Sequence, residues 1–258
     1  MIGEFRLCFS LEILLEAQVD KLKLLDSYSQ EAEIMAASIK CMVNGDTPLR
    51  ILEAGCGQRW PLNLDGIKFT LTGVDMDKDA VEIRKAKFKD LDEIILGDLR
   101  TVNLQEHAYD VIYSSFVLEH VQNAEQVMNN FSKWLKPGGL LIIRIPDRDS
   151  VYGFITRHTP FWFHIFYKKY IVGAPNAGKP GFDPYPTFHE EVISRQGMHK
   201  FCQKSNFEIT EEYGEGSYLK QKGAASSLTR LVVITMALLS FGALEWKYNN
   251  LTYVIKKK

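Results

Sequence analysis

Short runs dominated by apolar residues recur along the chain at 49–54, 70–74, 93–96, 109–114 and 139–145, each bounded by polar or turn-forming residues. They are too short for globular helices and rich in Ile, Leu and Val, so they read as buried strands. The stretches between them, 77–89 and 121–136, carry apolar residues at helical spacing. Strands alternating with helices predict a mostly parallel sheet covered on both faces. Pro137-Gly138-Gly139 ends one helix and turns into the next strand. Residues 190–204 read as a further helix, and 207–213 and 250–256 as the last two strands. At the other end, Leu11, Leu14, Leu15, Val19, Leu22 and Leu25 recur at helical spacing. They predict N-terminal helices over 10–43, packed above the mouth of the cleft.

Two segments exceed what this alternation needs. The first, 147–186, contains Phe161-Trp162-Phe163-His164-Ile165-Phe166-Tyr167 followed by Lys168 and Lys169. Such a run can cap an apolar pocket, rest on a membrane surface, or form a satellite core under a long loop. Gly173, Pro175, Gly178, Pro180 and Gly181 then make an irregular stretch suited to a mobile lid. The second segment, 214–249, holds the uncharged run Leu231–Leu244, which is shorter than the ~20 apolar residues a bilayer span needs. A buried helix packed on the first insertion is the favoured reading, and an interfacial helix the other.

Composition narrows the class. A chain of 258 residues suits one domain, 1–258, with an N-terminal helical cap over 1–45 and insertions at 147–186 and 214–249. A net charge of −1 offers no footprint for nucleic acid. Lys256, Lys257 and Lys258 make a small basic tail that reads as solvated. Cys8, Cys41, Cys56 and Cys202 are far apart, so neither a zinc site nor a disulfide framework is indicated. No secretory leader is recognisable at the N-terminus. A cytoplasmic location is expected, with peripheral membrane contact left open, and the oligomeric state is not read.

Chemistry concentrates at the first strand. It delivers Glu53-Ala54-Gly55-Cys56-Gly57 into a turn where side chains would keep a ligand from the backbone. Twenty residues after Gly55, Asp75 ends the second strand, the spacing at which an acid accepts hydrogen bonds from both hydroxyls of a ribose. A dinucleotide fingerprint would place a third glycine where this chain has Trp60. Cys56 reads as a space-filler beside the ligand. Gly97-Asp98-Leu99, Tyr109-Asp110-Val111-Ile112, Leu118-Glu119-His120-Val121 and Leu135-Lys136-Pro137-Gly138-Gly139-Leu140 follow in order.

With these motifs the chain resembles the class I S-adenosylmethionine (SAM)-dependent methyltransferases of the small-molecule, type 11 kind, from about residue 28 to 213 and again at the last strand. The resemblance implies a Rossmann-like, doubly wound α/β fold with a seven-stranded, mostly parallel sheet in the order 3-2-1-4-5-7-6. It implies SAM as cofactor, with Glu53, Gly55, Cys56 and Gly57 at the methionine half, Asp75 at the ribose and Met76 against adenine. Asp98 is expected at the adenine amino group with the Leu99 amide beside it, and Ser114 and Ser115 near the sulfonium. For Asp98 a turn cap is the plainer alternative. Arg59 stands where many members have a third glycine.

Methyl transfer asks for alignment more than for acid–base groups, and a base is needed only where the acceptor is protonated. His120, His189 and Asp147 are the candidates, each more often structural than catalytic; His158 and His164 lie in the aromatic insertion. Leu118-Glu119-His120 also resembles metal-using small-RNA 2′-O-methyltransferases and ubiquinone-pathway O-methyltransferases. Those carry an acid three residues before the glutamate, where this chain has Phe116, so no metal is expected. The expectation is a methyltransferase for a small, largely apolar acceptor, O-methylation slightly favoured over C or N. A membrane-associated lipid or quinone methyltransferase and a non-catalytic SAM-binding protein are the alternatives.

Overall fold

A computed structural model describes residues 22–258 apart from 26, 172, 181 and 217–223. Strands β1 (Lys23–Leu25), β2 (Leu49–Ala54), β3 (Phe69–Asp75), β4 (Glu93–Leu96), β5 (Tyr109–Ser115), β6 (Leu135–Pro146), β7 (Phe207–Glu215) and β8 (Asn250–Lys257) form one sheet. Its order is β1-β7-β8-β6-β5-β2-β3-β4. Only β8 runs antiparallel to its neighbours. Without β1 this is the expected order 3-2-1-4-5-7-6.

The eighth strand is a departure from the expected seven. Leu22 and Leu25 read as helical, yet Lys23–Leu25 pairs in parallel with Tyr213–Glu215. Three residues carry too little period for the sequence to decide, and the open edge of β7 decides it instead. The expected helices over residues 10–21 lie outside the described residues.

The helices follow the burial pattern. Helix α1 (Tyr28–Lys40) is capped by Ser27, whose hydroxyl accepts from the Gln30 amide, and buries Glu31, Met35 and Ile39 one turn apart. With Ile51, Leu71 and Ile142 it covers one face of the sheet. Helices α2 (Lys78–Lys87), α3 (Ala124–Trp134) and α6 (Arg195–Lys204) come from the β–α alternation. Val127, Phe131, Met198 and Phe201 of α3 and α6 cover the other face, packed with Ile112, Ile143 and Tyr253.

The insertions fold at the carboxyl edge of the sheet. The first supplies α4 (Val151–His158), α5 (Phe161–Phe166) and a π-helical turn over Tyr167–Ile171; the second supplies α7 (Ala224–Leu239). The Val151 amide bonds the Glu245 carbonyl at 2.7 Å, and the Glu245 amide bonds the Asp149 carbonyl at 3.1 Å. Val151, Val233 and Ala237 make a small satellite core between them. The buried reading of Leu231–Leu244 holds for one face only, because Leu231, Val232, Leu238 and Leu239 are exposed. Helix α5 buries none of its residues.

Candidate functional site

Strand β2 ends in a turn that two glycines make possible. Gly55 has φ +76° and Gly57 φ +48°, the left-handed region other residues avoid. At Gly55 space is decisive as well: a Cβ would lie 2.2 Å from Val117 Cγ2. The turn therefore lies against the segment after β5. Arg59, in place of a third glycine, keeps a negative φ and points to solvent, so the turn closes without it.

Asp75 is fixed in this turn. One carboxylate oxygen accepts from the Gly57 amide at 2.7 Å, the other from the Asp77 amide at 2.8 Å. Burial raises its pKa, and these two bonds oppose the rise. Each oxygen keeps a lone pair for a further donor. Met76 is exposed beside it.

Glu53 is turned away from the opening. Its Oε2 lies 2.7 Å from Nη1 of Arg84, a side chain of α2 that is wholly buried. The same Nη1 donates to the Cys56 carbonyl at 2.6 Å, and Nε and Nη2 hold Asp90 at 3.1 and 2.9 Å. Burial pushes the Cys56 thiol up to about 12, so it stays protonated and unreactive. Asp98 is held by its own turn: Arg100 grips both carboxylate oxygens and holds its pKa down. Leu99 is buried behind it.

The wall opposite the turn comes from the end of β5. Ser114 is buried, and its hydroxyl has no hydrogen-bond partner in the described structure. Ser115 accepts from Nη1 of Arg144. Arg144 is buried between the rings of Tyr28 and Phe116, 4.7 and 4.6 Å from their centroids, and forms a two-point ion pair with Glu31. Phe116, just after β5, holds φ +56°, a strained geometry for a bulky residue.

His120 has one assigned role in its hydrogen bond. Its Nδ1 lies 2.8 Å from the Pro186 carbonyl. A carbonyl only accepts, so the proton sits on Nδ1 and Nε2 presents a lone pair. Burial lowers its pKa, which keeps the ring neutral at pH 7. Glu119 Oε1 lies 3.9 Å from Nε2, and burial pushes that carboxyl up to about 8.

A strap from the first insertion spans both walls. The Tyr185 hydroxyl bonds Asp77 at 2.8 Å, Pro186 meets His120, and the Phe188 amide donates to the Glu119 carbonyl at 2.6 Å. Sequence reasoning named neither Tyr185 nor Arg84 nor Arg144. A tyrosine between two prolines and arginines on regular elements carry no local signal for burial.

The other two candidate bases take no part in these hydrogen bonds. Asp147, pushed by burial up to about 6, opens on a groove of about 1280 Å³ with Arg195, His199, Trp246 and Tyr248. His189, lowered to about 4 by burial and by Arg157 and Arg148, lies beside Thr187.

Comparison with known proteins identifies the family. The profile described as "Methyltransferase domain" matches residues 28–212. The chain belongs to the SAM-dependent methyltransferase family. It is 29% identical over 64% of its length to a probable S-adenosylmethionine-dependent methyltransferase of Mycolicibacterium smegmatis, covering 54% of that protein. It is 30% identical over 70% of its length to the ubiquinone biosynthesis O-methyltransferase of Rickettsia prowazekii, covering 68% of it. It also matches 20% of the length of a maize phosphoethanolamine N-methyltransferase, so the chain spans only part of these relatives. Among solved structures, a Listeria monocytogenes S-adenosylmethionine-dependent methyltransferase shares the fold. Its TM-score is 0.55 at 13% identity, over 88% of this chain and 99% of that one.

Proposed function

We propose that the chain methylates a small, largely apolar acceptor, with an oxygen as the favoured methylated atom. The observation that carries this reading is the pairing of charge around the cleft. Arg144 is spent on Glu31 with the rings of Tyr28 and Phe116 against it, and Arg84 on Glu53 and Asp90, so neither arginine is left to hold a charged acceptor. The named O-methyltransferase relative supports oxygen.

The residues fit the cofactor. The turn at Gly55 and Gly57 is a cradle that a Cβ at Gly55 would destroy, and Ser114 offers a buried hydroxyl still in need of a partner. Gly55, Cys56 and Gly57 would hold the methionine half by their backbone, Asp75 the ribose hydroxyls, and Met76 and the Leu99 amide the adenine. Ser114 and Ser115 would stand near the sulfonium. Glu53 serves through Arg84, as a positioning residue. Asp98, held by Arg100, would meet the adenine amino group only with its remaining lone pairs.

SAM supplies an electrophilic methyl group on a sulfonium, which an acceptor atom displaces in line. The chain's part is alignment and exclusion of water, with the strap over the cleft. His120 Nε2 is the base that takes the acceptor proton as the new bond forms.

The test is incubation with carbon-13-methyl SAM and a panel of phenols and aliphatic alcohols, read by NMR. A new methoxy carbon resonance is expected. A label on nitrogen or carbon overturns the oxygen assignment. SAM bound tightly, with no label transferred to any extractable metabolite, overturns the enzymatic reading in favour of a cofactor-binding protein.

A further inference from the structure

Two stretches of the chain contain no acid. Residues 150–182 carry Arg157, Lys168, Lys169 and Lys179, and residues 216–244 carry Lys220, Lys222 and Arg230. These are seven of the chain's 31 lysines and arginines, set against none of its 32 aspartates and glutamates. The chain as a whole is net −1, so the insertions carry more than their share of positive charge, although Arg157 pairs with Asp149 and the acids Asp147, Asp149 and Glu245 line the groove beside Leu238 and Phe241.

The same stretches carry most of the exposed apolar bulk. Trp162 is 66% exposed, Tyr170 64%, Leu238 and Leu239 73%, and Phe241 98%. Soluble surfaces scatter such residues singly, whereas clustered ones mark a contact surface. The two insertions are also one body, tied by the Val151–Glu245 and Glu245–Asp149 backbone bonds and by the satellite core. Both leave the carboxyl edge of the sheet, the edge on which the Gly55 turn and the strap lie.

We propose that this face docks on the surface of an anionic lipid bilayer. Tryptophan, tyrosine and phenylalanine beside lysine make the composition that settles at the headgroup boundary, with rings in the acyl margin and ammonium groups among the phosphates. Lys169 Nζ, 5.5 Å from the Tyr170 ring centroid, shows the two chemistries side by side, while Lys168 is shared with Asp183. No helix of the described residues is long and apolar enough to cross a membrane, so this contact is peripheral. A second copy of the chain is the other occupant such a face could have. A two-fold interface would set cationic face against cationic face, which opposes it. The inference concerns the surface and stands whichever atom is methylated.

The test is co-sedimentation of the full chain with phosphatidylcholine vesicles, with and without phosphatidylglycerol. Binding is expected with the anionic lipid and should weaken as salt rises. The double variant Leu238→Asp/Phe241→Asp and, separately, Trp162→Asp should each lose about tenfold or more in vesicle affinity, with melting temperature and SAM affinity unchanged. Lys169→Glu should lose less. No binding to anionic vesicles, or binding by the variants equal to the parent, overturns the proposal. So does a parent dimer that becomes monomeric in the double variant, which would assign the face to a second copy.

Discussion

The Tyr185 hydroxyl donates to Asp77, 108 positions earlier in the chain, and so ties the strap to the residue two beyond Asp75. This bond fastens the strap on the Asp75 side of the cleft. Tyr185→Phe keeps the ring and removes the bond, at a cost of ~0.5–1.5 kcal/mol. SAM should dissociate severalfold faster, as read by stopped-flow fluorescence, with little change in melting temperature. An unchanged rate would separate the strap from the cofactor mouth.

Gly55→Ala should unfold the turn and abolish SAM binding, because its Cβ would fall inside the Val117 side chain. Adding Val117→Ala removes both methyl overlaps and leaves a tight 3.0 Å contact with the Cβ of residue 117 and the cost of a left-handed alanine, ~1–2 kcal/mol. Thermal melts of the single and double variants should therefore show partial recovery. A single variant as stable as the parent would place Val117 elsewhere.

Asp75→Ala should weaken SAM tenfold or more by calorimetry, a charge-assisted bond being worth ~1.5–3 kcal/mol. The carboxylate also receives the Gly57 and Asp77 amides, so a small loss of melting temperature is expected with it. Asp75→Asn keeps an acceptor and should lose less of both. Affinity retained in both variants would move the ribose contact to another residue.

Much of this arrangement could be read before the structure. Strands β2, β5 and β6 announced themselves as largely buried apolar runs, β4 did so only by its apolar residues, since none of them is buried, and Gly55, Gly57 and Asp75 stand at spacings that a ligand-binding turn requires. What escaped were contacts that depend on distant partners. Lys23–Leu25 becomes a strand only because β7 offers an edge. Arg84 looks like any basic residue in the last turn of a helix, yet it is the hub of a buried network. Glu31 and Arg144 are 113 positions apart, and neither carries a sign of the other. The aromatic run at 161–167 had three readings, and α5 closes one of them by burying none of its residues.

Activity should survive exhaustive chelation. Phe116 occupies the position from which metal-using relatives supply a carboxylate, and His120 has Nδ1 committed to Pro186. Loss of turnover that Mg²⁺ alone restores would show a ligand set not recognised in this turn.

Glu119 should make stability fall as pH rises. Its folded pKa, about 8, lies above the ordinary 4.5, so the folded state holds a proton that the unfolded chain releases. Stability conferred by the neutral acid is full below pH 4.5 and is lost as pH rises towards 8, at up to ~1.4 kcal/mol per pH unit. Glu119→Gln should melt higher than the parent at pH 8, and the difference should shrink towards pH 5. Parallel melting curves at both pH values would mean that this carboxyl is ionised in the folded protein.

Arg84 holds Glu53 at the end of β2, the Cys56 carbonyl within the turn and Asp90 ahead of β4, all from within α2. Four segments thus share one buried cation, and none can fray without stranding it. The amides of this turn should exchange with solvent only in the global opening of the domain, whereas those of the strap exchange through local opening. A strap that opens before this turn does would be the wall through which a cofactor enters and leaves, over a floor bolted down by Arg84.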